Sequence, residues 1–253
     1  MTIEDAVGPI LAAAFLLGML AELLIPRETQ PRRRFWRLVG IAFFIVSGAI
    51  NVGLPLLLPG AWVAAHSLLS GQQLGLAGGF AVGFIAWTFV YYWYHRSEHR
   101  FDALWRGLHQ LHHSPNRVDA AGFAFAHPFD MTAQTVLSLV VMIGVLGLDT
   151  RAVALVGLYS AIAELVQHFN LRTPRALEWL MQRPEAHQRH HEFGQHAGNY
   201  ADWPVWDKLF GTYRAPADSA LRYGFEDAAA RRFGAMLACI DVNRTSAPIV
   251  RHD

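Results

Sequence analysis

Eight of the thirteen histidines in this chain fall into three short clusters: His95-Arg-Ser-Glu-His99, His109-Gln-Leu-His112-His113 and His187-Gln-Arg-His190-His191. The first is an HxxxH box and the other two are HxxHH boxes. On a helix, positions i, i+3 and i+4 share a face, so each box is expected to point two or three imidazoles the same way. Neutral imidazole is a ligand for iron, zinc, copper or nickel. One box is a weak signal, but three in one chain point to a site for more than one metal ion. A single catalytic zinc takes about three protein ligands and a water, fewer than the boxes offer, and His127 and His168 extend the supply. Cys239 is the only cysteine. It excludes an internal disulfide and any multi-cysteine zinc or iron–sulfur site, so the ligands must be nitrogen and oxygen.

The elements that position these residues are apolar. Hydrophobic residues make up 53% of the chain and charged residues 16%, well below the charged share of a soluble domain. The net charge of +1 gives no general attraction to nucleic acid. About 20 apolar residues of helix cross a bilayer core, and Ala6 to Pro26, Leu38 to Leu58 and Leu74 to Tyr94 each meet that length. Asn51 and Pro55 predict a polar contact and a kink in the second. Met131 to Leu148 and Ala152 to Gln167 form a fourth and a shorter fifth segment, crossing fully or as a partly inserted hairpin. The fold class expected is an all-α integral membrane protein of four to five spanning or inserted helices, with a cytoplasmic helical cap holding a histidine-rich dimetal site. It divides into N-terminal spans (1–79), a histidine-box core (80–213) and a cytoplasmic tail (214–253) with partial helix and little chemistry.

Charge sets the orientation. Arg27 to Arg37 carries five arginines, and Pro59 to Gln73 carries neither Lys nor Arg. The positive-inside rule puts the first loop in the cytoplasm and the second outside. The third span then returns to the cytoplasm and delivers His95 there, with the first two boxes expected on polar helices beyond it. Parity puts His127, His168, the third box and the C-terminus on that same side. A nitrogen-rich pair of redox metals beside a membrane points to dioxygen activation on a lipid. The segments Trp87 to Tyr94 and Met131 to Leu148 would frame a greasy path to it. The Glu-x-x-His pattern of carboxylate di-iron bundles is missing.

The order of HxxxH, HxxHH, an isolated His168-Phe-Asn170 and HxxHH resembles the fatty acid hydroxylase and sterol desaturase superfamily. Trp93-Tyr-His-Arg96, His112-His-Ser-Pro115, His127-Pro128, Asn199-Tyr200 and Trp206-Asp-Lys-Leu-Phe-Gly-Thr212 add to the resemblance, which covers roughly 80–213. It implies a membrane enzyme with a non-haem di-iron centre that uses O2 to hydroxylate or desaturate a lipid C–H bond. It also implies that His95, His99, His109, His112, His113, His168, His187, His190 and His191 are metal ligands. Glu164, one turn before His168, is then a carboxylate ligand, a partner orienting that ring, or a side chain snorkelling to the interface. His127 is a ligand, a hydrogen-bond donor to one, or a helix-start residue. Phe125 stands where sterol-type members often have Arg, while Asp130 keeps an acid nearby. Asp130, Asn199 and Asp207 are candidates for binding metal or supporting the ligands, with Asn199 and Asp207 equally open to a purely structural role. No cytochrome b5-like His-Pro-Gly-Gly and no glycine-rich nucleotide fingerprint occurs, so an external donor is implied, a ferredoxin or a b-type cytochrome with its reductase.

The remaining residues read as background. Glu98 is expected to face solvent or an arginine. His66 is expected to be solvated in an outer loop, and His252 lies in the tail. His191-Glu-Phe-Gly-Gln-His196 has one residue too many for HExxH, so His196 carries no expected role. Three other readings compete: a membrane haem cytochrome, a metal carrier and a zinc-dependent membrane hydrolase. The spans lack histidine in their interiors, against the first. Glu22, Asn51 and Glu164 do not line up as a pathway, against the second.

Overall fold

The computed structural model describes residues 2–57, 60–216 and 221–243, with 60 and 61 by backbone alone. His252 lies outside the described residues. The described chain is helical throughout, apart from one isolated β-bridge between Glu192 and Tyr223.

Six helices organise it: α1 (Ile3–Leu24), α2 (Trp36–Leu57), α3 (Gly75–Arg100), α4 (Pro128–Leu139), α5 (Thr150–Gln167) and α6 (Pro184–His190). Four stretches are long and apolar enough to cross a membrane: Ile3–Leu24, Trp36–Leu57, Gly71–Arg100 and Pro128–Val145, with mean hydropathies of 2.1, 2.0, 1.7 and 1.5. Leu17, Leu24, Ile45, Val52 and Leu57 stand exposed along α1 and α2, an apolar belt that lipid must cover. The protein is therefore an integral membrane protein. The fifth apolar segment, α5, is not among the four; it packs against α1 and α3.

Local chemistry explains the main elements. Thr2 and Asp5 form a capping box at the start of α1. Asn51 makes the polar contact its place in α2 suggested, accepting from the Thr135 hydroxyl of α4 at 3.0 Å. Gly79 and Gly83 let α3 approach α5 closely. A Cβ on Gly79 would lie 3.1 Å from Ala152, and one on Gly83 would lie 2.8 Å from Leu148 and 3.1 Å from Val156. Small residues at four-residue spacing are a membrane route to close helix contact.

Helix α3 is longer than a bilayer needs. Its 26 residues span about 39 Å, against a hydrocarbon core of about 30 Å. The last turns, carrying His95 and His99, project beyond the lipid. The first box is thus the end of the third span itself, not a separate polar helix. The second box also departs from a regular α-helix. A π-helical turn runs over Trp105–His109, and His112 and His113 follow in turns.

The C-terminal segment is no loose appendage. Phe225, Ala229, Ala230, Met236 and Val242 are buried in one cluster with Phe15, Trp36, Trp105 and Leu111. Gln110 holds that segment by donating to the Ile240 carbonyl at 2.9 Å.

Candidate metal centre

The nine histidines of the boxes and position 168 are all buried, and they sort into two groups. His95, His99, His109, His113 and His190 form one; His112, His168, His187 and His191 form the other. Within each group every residue offers a ligand atom, and these atoms all lie within 4.8 Å of one another.

The boxes do not each serve one group, as simple face-sharing suggested. In the second box the i, i+4 pair His109 and His113 joins the first group, and His112 joins the second. In the third box the i, i+4 pair His187 and His191 joins the second group, and His190 joins the first. Each HxxHH box therefore straddles both groups. The His113 and His191 rings stack at 4.2 Å between centroids where the groups meet.

The donor set suits metal ions. The Nε2 atoms of His95 and His109 are 2.9 Å apart, those of His112 and His168 3.0 Å, and those of His187 and His191 3.1 Å. Imidazoles bound to one ion at about 2.0–2.1 Å put neighbouring nitrogens roughly 3 Å apart. The Nε2 atoms of His99, His113 and His190 are buried with no hydrogen-bond partner, a costly arrangement for a polar atom unless a ligand satisfies it. Burial, the largest cause, holds His112, His113, His187, His190 and His191 well below the usual imidazole pKa, and His168 at about 4. Neutral imidazole is the form that binds metal.

The outer nitrogens show how the rings are oriented. His95 Nδ1 donates to the Tyr200 carbonyl at 2.7 Å, His190 Nδ1 to Gly198 at 2.7 Å and His168 Nδ1 to Glu164 at 2.6 Å. A proton on Nδ1 leaves the Nε2 lone pair facing inward. His109 differs: its Nδ1 makes no hydrogen bond and has only acids nearby. Its Nδ1 lies 3.4 Å from Glu98 Oε2 and 3.7 Å from Asp130 Oδ2. Glu98 is 1% exposed, so it faces neither solvent nor an arginine; its place on the buried face of α3 explains the difference. Asp130 also accepts from Tyr94 at 2.7 Å and Gln134 at 3.0 Å. Glu98, His109 and Asp130 form a third cluster with metal-ligand spacing.

The other candidates fall into distinct places. His127 caps α4: its Nδ1 accepts from the Phe129 amide at 3.1 Å, and its Nε2 lies 3.2 Å from the Leu237 carbonyl. It is in neither histidine group. Glu164 contributes its carbonyl to His168, and its carboxylate meets the Tyr91 hydroxyl. Asn199, in the left-handed region at φ 53°, bonds the backbone of Ala186 and Arg214. Asp207 accepts from the Tyr200 and Ala201 amides at 2.9 and 2.8 Å and from Thr212 at 2.7 Å. It therefore fixes the loop whose Tyr200 carbonyl orients His95, although burial pushes its carboxyl up to about 6. His66 is exposed, stacked on Trp62. His196 is the residue that spacing missed. It is 4% exposed, and its Nδ1 lies 2.9 Å from His113 Nδ1. No periodicity could reveal that contact, because a turn in the left-handed region at His196 creates it.

The profile of the fatty acid hydroxylase family matches residues 80–212, just over half of the chain. An alkylglycerol monooxygenase of Xenopus tropicalis is 28% identical over 148 residues, covering 56% of this chain and 31% of its own length. A protein of Arabidopsis thaliana carrying the name of a Delta(7)-sterol-C5(6)-desaturase is 28% identical over 136 residues, 51% of this chain and 45% of its own. A cholesterol 25-hydroxylase-like protein of Caenorhabditis briggsae is 35% identical over 51 residues, 20% of this chain and 17% of its own. The chain thus spans less than half the length of each of these relatives. No solved structure matches it.

Proposed function

This chain belongs to the fatty acid hydroxylase family, and we propose that it is an O2-dependent membrane oxidoreductase that hydroxylates or desaturates a lipid C–H bond. The observation that carries the proposal is the division of nine buried histidines into two adjacent groups of five and four. Each group would hold one iron ion, with His95, His99, His109, His113 and His190 on one and His112, His168, His187 and His191 on the other. Two irons bound there would supply dioxygen activation.

The protein's own residues would do the rest. Carbonyls of Tyr200, Gly198 and Glu164 hold three rings in the tautomer that binds metal. Tyr91 and Tyr94 lie four residues and one residue before His95 on α3, on its membrane side, where a lipid would enter along α3 and α4. For hydroxylation, one oxygen atom enters the C–H bond. The other leaves as water, consuming two protons and two electrons.

Those electrons come from outside the chain. A recess of about 640 Å³ includes Arg96, Arg100 and Arg214 in its lining and reaches His99. Its positive charge suits an acidic one-electron carrier, such as a ferredoxin or a b-type cytochrome served by its reductase. By the positive-inside rule this face is cytoplasmic.

A haem reading is disfavoured by the 2.9–3.1 Å nitrogen separations. Axial imidazoles on opposite faces of a haem must leave room for the macrocycle. The test is reconstitution in lipid vesicles with O2, a ferredoxin and its reductase. A lipid product that gains one oxygen or loses two hydrogens, only when both O2 and reductant are present, supports the proposal. Lipid cleavage without either would establish a hydrolase instead.

A further inference from the structure

His196 lies outside both histidine groups, yet it is built against the first of them. It is 4% exposed, and its Nδ1 lies 2.9 Å from His113 Nδ1, with the two rings at 87°. His113 Nε2 is buried with no hydrogen-bond partner, so that nitrogen is the one left for a ligand. A neutral imidazole has one N–H and one lone pair. With the lone pair on Nε2, the proton of His113 is on Nδ1. Two protonated nitrogens repel at 2.9 Å, so His196 Nδ1 must accept. Backbone carbonyls take this place for His95, His168 and His190. His196 also serves a second ring of the group, because its own backbone carbonyl accepts from His99.

Local features place this ring. Gly194, His196, Gly198 and Asn199 all lie in the left-handed region, which bends the loop after the third box back on itself. Trp105 and Phe225 flank the ring at 5.9 and 5.4 Å between centroids, Phe225 edge-on at 86°. Phe225 belongs to the C-terminal segment, as does Gly224, whose carbonyl faces the same ring. That segment is fixed to the loop of the third box. Glu192 bridges Tyr223, the Phe193 amide donates to the Arg222 carbonyl at 2.8 Å, and the Gly224 amide donates to the His191 carbonyl at 3.3 Å. Gly224 has φ 75°, and a Cβ there would lie 2.2 Å from the Pro115 carbonyl oxygen. Glycine alone lets the segment pass this close to the end of the second box. The family profile ends at 212, so Gly224 and Phe225 brace His196 from beyond the matched region.

We infer that His196 is a positioning residue of the centre: its Nδ1 accepts the Nδ1 proton of His113 and so holds the His113 Nε2 lone pair toward the ion of the first group, with the C-terminal segment bracing the ring. The inference rests on the reading of the histidine groups as metal sites. Without the acceptor, the buried His113 N–H loses its partner, and the tautomer that binds metal is no longer favoured. Partners of this kind change metal affinity by about 10- to 100-fold.

The test compares His196→Gly with His196→Asn in the full-length protein in detergent. Both replacements accept a left-handed backbone, and neither carries the ring between Trp105 and Phe225. Asparagine alone keeps an acceptor, its Oδ1, where Nδ1 stood. The protein is loaded with Fe(II), and retention is measured against an excess of an Fe(II) chelator. His196→Gly should hold one iron about 10- to 100-fold more weakly, and His196→Asn should bring retention back near the wild-type level. In Zn(II)-loaded protein labelled with 15N-histidine, solid-state NMR should show an N–H···N pair of imidazoles that is absent from both variants. Circular dichroism melting confirms that the variants are folded. Equal loss of iron in both variants would make the role one of packing and overturn the inference. Unchanged retention in His196→Gly, or no N–H···N pair in the wild type, would overturn it as well. Wild-type protein that holds neither Fe(II) nor Zn(II) would instead sink the metal reading, and this inference with it.

Discussion

The unlike treatment of His109 has consequences that can be measured. Its outer nitrogen faces Glu98 and Asp130, whereas His95, His168 and His190 are held by carbonyls. A negative charge this close to the outer nitrogen makes an imidazole a stronger donor to metal. Asp130→Asn keeps the side-chain shape and removes the charge, so iron affinity should fall about 10- to 100-fold. Competition with a chelator measures this; unchanged affinity would leave Asp130 merely as the partner of Tyr94 and Gln134. The buried imidazoles also set a pH dependence. His168 titrates at about 4 in the fold against an ordinary 6.5. Between those values the unfolded chain binds a proton that the folded chain refuses. Its contribution to stability is therefore complete above pH 6.5 and is lost as pH falls toward 4, by at most about 3 kcal/mol. Melting of the metal-free protein across that range should show stability declining with acid; a flat profile would contradict the neutral, buried state. Glu98 and His196 were illegible in the sequence, because tertiary packing buries them and neither has a spacing signature.

At the scale of elements, hydropathy disclosed the spans to within a few residues, since a bilayer tolerates little else over that length. The boxes were visible as metal-binding patterns for the same kind of reason: ligands must recur on a helix face. What could not be read was their division. Periodicity tells which residues of one box share a face, but not which group each face meets. The π turn at Trp105–His109 further shifts the register after the first box. Helix α3 links span to site, so its packing against α5 should matter at a distance. Gly83→Val would drive a side chain into Leu148 and Val156 and cost about 1–3 kcal/mol. Thermal melting in detergent should show the loss, and a fully stable variant would refute close α3–α5 packing as the support of His95 and His99.

The whole molecule places an apolar belt below and all nine histidines above it. Burial of Phe225, Ala229, Ala230, Met236 and Val242 in one cluster with Trp105 and Leu111 was hidden in a stretch whose composition looked like a polar tail. The orientation proposed from the positive-inside rule can be checked by labelling. In a Cys239→Ser background, a cysteine at Gln72 should react with an impermeant maleimide on intact cells, and one at Arg175 only after permeabilisation. The reverse pattern would put the histidines outside. The central claim is that the two histidine groups hold two metals in one active centre, with His112 in the second group and its neighbours His109 and His113 in the first. The direct measurement is the iron content of protein purified from iron-supplied cells, beside His112→Ala. The account predicts about two irons per chain in the wild type and a loss of iron in the variant. One haem per chain, or a single tightly held zinc with no iron-dependent activity, would contradict it.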